Sequence, residues 1–309
     1  MSQDRSGRVV IFDPSPLFTV TIESDSGRTP EVHFHLGGQG AWVGRTIRVL
    51  GGTALMCGPI GGESGNVLRA LAEDERTGVP LRTVECANAN GGYVHDRRSG
   101  GRDAIVEIPA PALSRHEADD LYNVTLEEAA RSSVLMMCGR RHEDVIPLGV
   151  YERLPHDASE LGCKIVADVD GDTARACGEP IEVLKMAHDE LLPEGVEESV
   201  GTIRKAMLEL RERGVMNIVV SRGPEPILAL IEDEWFEVDP PKVQELEHRG
   251  AGDSMTGTLA YCVAAGVPLV RALQLATAAG ASSVTRHGHA SGLPATVAEL
   301  AKRVEVRRV

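Results

Sequence analysis

The chain has 309 residues, of which 46 are acidic and 32 are lysine or arginine, so that its formal net charge is −14. This charge disfavours broad electrostatic binding to nucleic acid or to an anionic membrane. Hydrophobic residues make up 42% and charged residues 25% of the chain, which is typical of a globular protein and excludes an intrinsically disordered one.

The length fits one large domain, or one large domain with a small appendage. No apolar run reaches the length of a membrane span, and the N-terminal residues lack the apolar segment of a secretion signal. The six cysteines form no CxxC pair, and several of them lie in apolar runs where a buried thiol is expected. These features predict a cytoplasmic protein with no membrane association.

Short apolar strands alternate with amphipathic helices along most of the chain. The predicted strands are Val9–Phe12, Ala54–Cys57, Val134–Cys138, Lys164–Asp168, Ile181–Lys185, Asn217–Ser221 and Ile227–Ile231. The predicted helices include Ala41–Leu50, Glu117–Arg131, Ser199–Arg213, Val270–Ser283 and Val297–Val304. This alternation indicates a mainly parallel sheet with helices on both faces, a three-layer, doubly wound α/β fold. Ligands in such folds bind beyond the carboxyl ends of the strands.

Two stretches depart from this pattern. Thr19–Leu36 and Arg82–Ile108 contain alternating polar and apolar residues with glycine-rich turns between them. Such alternation is typical of strands that are exposed on one face, so the two stretches could form a small separate sheet. A small sheet that projects from an α/β domain would suit a lid over a ligand or a contact in a dimer.

A glycine-rich turn precedes the long alanine-rich helical region near residue 260. In Gly250-Ala251-Gly252-Asp253, the small residues allow a tight turn, and the backbone N–H groups at a helix start can bind an anion such as phosphate. Asp253 beside such a site could accept a proton from a hydroxyl group that attacks a phosphoryl group. Alternatively, Asp253 could simply cap the helix. The turn alone leaves these two interpretations open.

A second glycine cluster, Leu36–Arg45, lies far upstream of this turn. The order of the two clusters and of several short segments along the chain resembles the ribokinase/PfkB carbohydrate kinases, most closely the 1-phosphofructokinase and tagatose-6-phosphate kinase branch. The other segments that carry the resemblance are Ser15–Glu23, Pro109–Ser114, Lys185–Leu191, Val220–Gly223 and Gly292–Pro294. The resemblance implies a ribokinase-like core formed by residues 1–13, 37–81 and 109–309. Residues 14–36 and 82–108 would form a β lid, often shared across a homodimer.

The resemblance also implies the reaction, which is transfer of the γ-phosphoryl group of ATP, with Mg²⁺, to a hydroxyl group of a sugar or sugar phosphate. Asp253 would be the base, Gly250, Ala251 and Gly252 would form the anion hole with it, and Glu190 would bind the metal through water. The residues implied for ATP binding are Lys185, Ser221, Gly223, Gly252, Ala279, Ser282 and Gly292.

The departures from the family pattern lie mainly on the substrate side. The implied substrate residues are Thr19, Gly38, Gln39, Trp42, Arg140, Arg141 and Asp253, and Thr19, Gln39 and Trp42 each replace a different residue of the family. Gln39 replaces a lysine and so removes a cation. Trp42 could stack on a ring or could simply pack against its neighbour. Arg140 and Arg141 follow a strand end, where one of them could contact an anionic substrate, although such pairs are also common in solvated loops.

Other interpretations of the chain remain open. A protein that binds sugar phosphates or nucleotides for regulation could keep this fold and lose turnover, which the substitutions at Thr19, Gln39, Trp42 and Ala187 would allow. A nucleoside kinase of the same fold is a third possibility. Asp168-Val169-Asp170-Gly171-Asp172 superficially suggests calcium ligands, but the terminal glutamate of an EF-hand loop is absent, so a turn at a strand end is predicted.

Overall fold

A computed structural model describes residues 7–24, 29–74, 78–99, 101–177, 180–193, 195–246, 249–286 and 292–309. The strands are β1 Arg8–Phe12, β2 Leu17–Glu23, β3 Glu31–Gly37, β4 Thr53–Ile60, β5 Leu81–Glu85, β6 Gly92–Asp96, β7 Asp103–Ile108, β8 Val134–Cys138, β9 Lys164–Asp168, β10 Val183–Ala187, β11 Ile218–Arg222, β12 Glu225–Ile231, β13 Glu234–Asp239 and β14 Glu305–Arg308. The helices are α1 Gln39–Val49, α2 Gly62–Ala72, α3 Arg115–Ala129, α4 Leu148–Glu160, α5 Gly171–Cys177, α6 His188–Leu191, α7 Val200–Glu212, α8 Ala251–Ala264, α9 Leu269–Val284 and α10 Pro294–Ala301.

Most strands belong to one large sheet. Its order among the described residues is β14-β13-β12-β11-β10-β9-β8-β1-β4-β5. The strands from β11 to β5 are parallel, whereas β12, β13 and β14 pair antiparallel at one edge. Parallel strands joined through helices bring their carboxyl ends to the same edge of the sheet.

The buried side chains show why the sheet is covered on both faces. Val9 and Ile11 of β1 pack in a core with α1, α8 and α9, whereas the intervening Val10 and Phe12 pack in a second core with α3, α4 and α7. Because successive side chains of a strand point to opposite faces, an apolar run such as β1 contributes to both cores. The predicted three-layer α/β fold is therefore confirmed.

Strands β3, β2, β6 and β7 form a small separate sheet in that order. Strands β2 and β6 are parallel, and the two outer pairs are antiparallel. The predicted small sheet is thus present, but one of its predicted boundaries is wrong. Strand β5 pairs with β4 in the large sheet, so residues 82–85 do not belong to the small one. The half-exposed edge position of β5 gives it the alternating pattern that the small sheet also has.

The C-terminal region also differs from the prediction. The helix predicted at Val297–Val304 begins earlier and is α10, and the chain then adds β14 to the edge of the large sheet. The alternating residues of β14 are mostly charged, so that apolar periodicity does not identify it. Among the described residues, no helix combines the length and the apolar character needed to cross a membrane.

Candidate active site

Two large cavities open beside the start of α8 in the described part of the chain. The first, of about 710 Å³, lies between the strand ends, the start of α1 and the small sheet, and Thr19, Trp42 and Asp168 are among its lining residues. The second, of about 410 Å³, is lined by residues that follow β11 and β13 and by residues of α8 and α9. Both volumes are in the range of small-molecule sites.

The first turn of α8 separates the two cavities. Gly250 has a φ of 80° and precedes the helix as its N-cap residue, so Asp253 lies in the first turn and the proposed capping role of Asp253 is wrong. Gly250 and Asp253 line the first cavity, whereas Ala251 lines the second. The unpaired N–H groups of this turn therefore lie between the two cavities.

Asp253 has an unusual protonation equilibrium. Its pKa is raised to about 7, first by burial and then by the carboxylate of Asp168, while Lys185 acts in the opposite direction. Helix α8 approaches Lys185 closely, because a Cβ atom at Gly252 would lie 2.8 Å from Lys185 Nζ. A carboxyl group that titrates near neutral pH in a cavity is suited to exchange a proton with a ligand.

Lys185 and Asp168 form a buried ion pair, with each residue 4% exposed. Lys185 Nζ donates to Asp168 Oδ2 at 3.2 Å, and Thr256 Oγ1 of α8 donates to the same oxygen at 2.5 Å. Burial alone would lower the pKa of Lys185, but the carboxylates of Asp168, Glu190 and Asp253 raise it, so the ammonium group stays charged. Asp168 therefore does more than end a strand, which is the role predicted from the sequence, because it pairs with Lys185.

Asp13 lies beside the first cavity without lining it, and it was not singled out from the sequence. It follows β1, is buried, and accepts hydrogen bonds from the N–H groups of Ser15 at 2.9 Å and Gly40 at 3.1 Å. Burial raises the pKa of Asp13 to about 6 against the effect of these hydrogen bonds. A Cβ atom at Gly40 would lie 2.5 Å from Asp13 Oδ2, so the absence of a side chain there lets α1 begin beside the carboxylate. A carboxylate directly after a buried parallel strand is the signal that could have identified it.

The small sheet presents a polar row to the first cavity. Thr19, Tyr93 and Glu107 lie side by side on β2, β6 and β7, and all three line the cavity. The next row contains Phe34, Val20, Val94 and Val106, which point to the opposite face. The small sheet therefore has one face toward the site and one apolar face away from it.

The predicted arginine pair lies at the first cavity, in the loop after β8. Arg140 Nε donates to Thr173 Oγ1 at 3.3 Å, and its Nη1 lies 3.5 Å from the carbonyl oxygen of Glu143. Arg141 has a φ of 59°, and its guanidinium group donates to the hydroxyl of Tyr93 and lies 5.0 Å from the centre of that ring. Arg141 therefore joins the core of the protein to the small sheet.

The predicted residues of the second glycine cluster also lie at the first cavity. Gly38 adopts a φ of 97°, which favours glycine. The indole ring of Trp42 lies 6.4 Å from the imidazole of His35, and Arg45 lies 6.0 Å from its centre, so Trp42 packs against neighbours and lines the cavity as well. Gln39 bonds to the protein through both ends of its amide, to Gly139 and to the carbonyl of Asp168.

The second cavity contains only some of the residues expected to bind ATP. Ser221 and Gly223 line it, but Lys185, Gly252, Ala279, Ser282 and Gly292 do not. The residues of α9 that do line it are Thr277, Gly280, Ala281 and Val284, which are spaced as one helical face. Ala279 and Ser282 lie on the buried side of the helix, and a Cβ atom at Gly292 would lie 3.1 Å from Ser282 Oγ. These three residues therefore lie outside the second cavity, which is lined by the other face of α9.

Comparison with known proteins identifies the family of the chain. The model of the pfkB family carbohydrate kinases matches residues 11–296. The chain belongs to the PfkB family of carbohydrate kinases. The family resemblance predicted from the sequence is thus confirmed, and this protein is a sugar kinase.

The relatives of this kinase include two kinds of phosphofructokinase. It is 30% identical to the ATP-dependent 6-phosphofructokinase isozyme 2 of Escherichia coli (strain K12) over 263 residues. This match covers 82% of this chain and 83% of the relative. It is 25% identical over 277 residues to the 1-phosphofructokinase of Vibrio cholerae, covering 88% of this chain and 86% of the relative. The crystal structure of phosphofructokinase-2 from E. coli superposes with a TM-score of 0.82 at 25% identity, covering 96% of this chain and 98% of the other.

Proposed function

We propose that this kinase transfers the γ-phosphoryl group of ATP to a hydroxyl group of a sugar phosphate, with Asp253 as the general base. The observation that carries the proposal is the position of the first turn of α8 between the two cavities. The acceptor would bind in the first cavity and ATP in the second, so that the two reacting groups meet at this turn. The two relatives named above are both phosphofructokinases, which supports a phosphorylated sugar as the acceptor.

At this turn, each residue would have a separate task. Asp253, whose pKa is about 7, would accept the proton of the attacking hydroxyl group. The N–H groups of Ala251, Gly252 and Asp253 would stabilise the negative charge on the transferred phosphoryl group, and Gly250 would allow the turn that directs them. Lys185, which remains charged beside Asp168, would attract the phosphates of ATP.

For ATP itself, the second cavity supplies an apolar slot. Its α9 face of small residues, Thr277, Gly280 and Ala281, leaves room for a planar base. We therefore propose this face as the adenine wall, in place of Ala279, Ser282 and Gly292. Ser221 and Gly223, at the end of β11, would contact the nucleotide from the other side.

The residues at the first cavity also fit Mg²⁺. Glu190 lines the cavity, and one of its carboxylate oxygens accepts a hydrogen bond from Ala187 N–H at 2.8 Å, which leaves the other for a metal-bound water. Among the described residues, no group of three or more His, Cys, Asp or Glu side chains could hold a metal ion. Mg²⁺ keeps much of its water shell and often binds through one or two carboxylates, so Glu190 is the residue that would hold it. The metal would neutralise charge on the phosphates.

On the acceptor side, arginine is the cation that the first cavity supplies. Arg102, Arg140, Arg141 and Arg249 all line it. We propose that Arg141, at the open side of the cavity, contacts the phosphate of the acceptor, because a guanidinium group can bind phosphate through two parallel hydrogen bonds. Thr19 and Gly38 would border the sugar, and Trp42 would offer it an aromatic surface.

The apolar face of the small sheet supports a homodimer. Val32 and Phe34 of β3 and Val106 and Ile108 of β7 are between 43% and 53% exposed. The apolar residues continue across the sheet through Val20 and Val94, so the face extends from one outer strand to the other. The apolar face of a second copy could pack against this one, so that the same residues of both copies meet, as expected for an isologous interface.

ATP turnover with a panel of acceptors tests the proposed reaction. The panel comprises fructose 6-phosphate, fructose 1-phosphate, tagatose 6-phosphate, unphosphorylated sugars and nucleosides, each with wild type and Asp253→Asn. We expect turnover with a sugar phosphate and a loss of about a hundredfold or more in the variant. Equal turnover in both proteins would disprove the role of Asp253. Preferential turnover of a nucleoside would disprove the acceptor class, and tight sugar-phosphate binding without ATP–Mg²⁺ affinity would favour a regulatory protein.

A further inference from the structure

The side chain of Gln39 connects two neighbouring strand ends of the large sheet. Its Oε1 accepts a hydrogen bond from Gly139 N–H at 2.8 Å, and its Nε2 donates to the carbonyl oxygen of Asp168 at 3.1 Å. Cys138 and Asp168 are the last paired residues of β8 and β9. The Gln39 amide therefore lies where the next rung of the sheet would be, and it satisfies two backbone groups that the separating strands leave unpaired.

An amide is the side-chain group that this position needs. The N–H group of Gly139 requires an acceptor, and the carbonyl of Asp168 requires a donor. A glutamine supplies both from one planar group, whereas a lysine supplies only donors and an ionised glutamate only acceptors. Gln39 can therefore connect the two strand ends through one side chain.

The connection fixes the loop that carries Arg141. Gly139 begins this loop, which turns sharply, since His142 N–H bonds to the carbonyl oxygen of Arg140 at 2.7 Å. Arg141 has a φ of 59°, which disfavours a residue with a side chain, so the loop needs support from its surroundings. The hydrogen bond from Gly139 to Gln39 supplies that support at the first residue of the loop.

We infer that Gln39 is a positioning residue, which holds the loop so that Arg141 meets the anionic group of the acceptor and which does not itself contact the acceptor. This inference rests on the proposed function. The effect should be confined to the acceptor side. At β9, Gln39 bonds only to the backbone carbonyl of Asp168, whereas the carboxylate of Asp168 stays with Lys185 and Thr256.

Steady-state kinetics with fructose 6-phosphate as the acceptor test the inference. Gln39→Met removes both hydrogen bonds at similar volume, and Gln274→Met, at an exposed hydrogen bond to Arg271 on α9, is the matched control. We expect Gln39→Met to raise the KM for fructose 6-phosphate by about tenfold, from the loss of two partly buried hydrogen bonds, with the KM for ATP changed less than about twofold. An equal rise in the KM for ATP would overturn the inference.

A double variant separates positioning from direct contact. If Gln39 acts through Arg141, then Gln39→Met should change the KM for fructose 6-phosphate by less than about twofold in an Arg141→Ala background. If the effects of the two single variants multiply in the double variant, Gln39 contacts the acceptor itself and the inference is wrong.

Hydrogen exchange tests the same inference without turnover, so its outcome does not depend on the proposed reaction. In the unliganded protein, the Gly139 amide should exchange faster in Gln39→Met than in wild type. It should stay protected in Gln39→Glu, which keeps the acceptor for that N–H group and serves if the first variant does not fold. Unchanged exchange in Gln39→Met, or lost protection in Gln39→Glu, would overturn the inference. If the protein phosphorylates none of the acceptors, the proposed function fails, while this measurement still decides whether Gln39 holds the loop through Gly139.

Discussion

Replacement of Asp253 by asparagine should make this kinase more stable and less active. Asparagine keeps the size of the side chain but cannot accept a proton, which accounts for the expected loss of turnover. It also removes a carboxyl group that the folded protein disfavours in its charged form. The stability of the variant therefore reports on the electrostatic cost of the site, independently of which acceptor it binds.

The expected size and pH dependence follow from the pKa of Asp253. The ordinary pKa of an aspartate, which applies to the unfolded chain, is 3.8, and the pKa of Asp253 in the folded protein is about 7. At about 1.4 kcal/mol per unit, this difference sets a ceiling of about 4 kcal/mol. Contact of Asp253 with solvent reduces the cost of its charge. We therefore expect the free energy of unfolding of Asp253→Asn to exceed that of wild type by about 1 to 2 kcal/mol at about pH 8, or its Tm by about 2 to 4 °C. Between about pH 4 and pH 7 the folded state binds more protons than the unfolded state, so wild-type stability decreases as pH rises and then levels off.

Thermal unfolding at about pH 5 and pH 8 tests this reasoning. The gap in Tm between Asp253→Asn and wild type should be larger at the higher pH, because asparagine does not titrate. Asp120→Asn, at an exposed carboxylate on α3, is the matched control and should not produce such a gap. A variant that unfolds at a lower temperature than wild type at about pH 8, or a gap that is the same at both pH values, would refute the argument.

Three further substitutions test other parts of the site. Lys185→Met leaves the buried Asp168 carboxylate without its partner, and urea unfolding should give a loss of about 3 kcal/mol or more; an unchanged midpoint would contradict the importance of the pair. Gly40→Ala places a Cβ atom 2.5 Å from Asp13 Oδ2, so a cost of about 1 to 3 kcal/mol is expected in thermal unfolding. A Tm equal to that of wild type would mean that α1 can shift freely. Arg141→Lys keeps the positive charge but loses the planar guanidinium group, which can bind a phosphate through two parallel hydrogen bonds. The KM for fructose 6-phosphate should therefore rise about tenfold, while the KM for fructose stays the same. Equal rises for both acceptors would argue against a phosphate contact.

The sequence predicted the fold well because the relevant patterns are local. Runs such as Val134–Cys138 are apolar at every position, which indicates a strand buried on both faces, and the structure has β8 there. The alternation in β2 and β6 likewise indicated a separate, half-exposed sheet. The turn at Gly250–Asp253 was identifiable because glycines and a helix start are adjacent in the chain.

The bonding partners of several site residues could not be predicted, since those partners are distant in the chain. Gln39 bonds to groups that are 100 and 129 residues away. The pairing of Asp168 with Lys185 depends on the register of β9 and β10. The face of α9 was unpredictable for a different reason. Its residues Ala276–Ser283 are small on all sides, so no apolar stripe indicates which of them face the neighbouring helices and which line the cavity.

The position of the first turn of α8 between the two cavities has a thermodynamic consequence. Both reactants of the proposed reaction would contact the same four residues, Gly250–Asp253, so any adjustment of this turn by one of them alters the surface presented to the other. Linkage then requires that the factor by which ATP changes the acceptor's Kd equals the factor by which the acceptor changes the Kd of ATP. A single helical turn would in this way couple the occupancy of two sites without movement of any larger part of the protein.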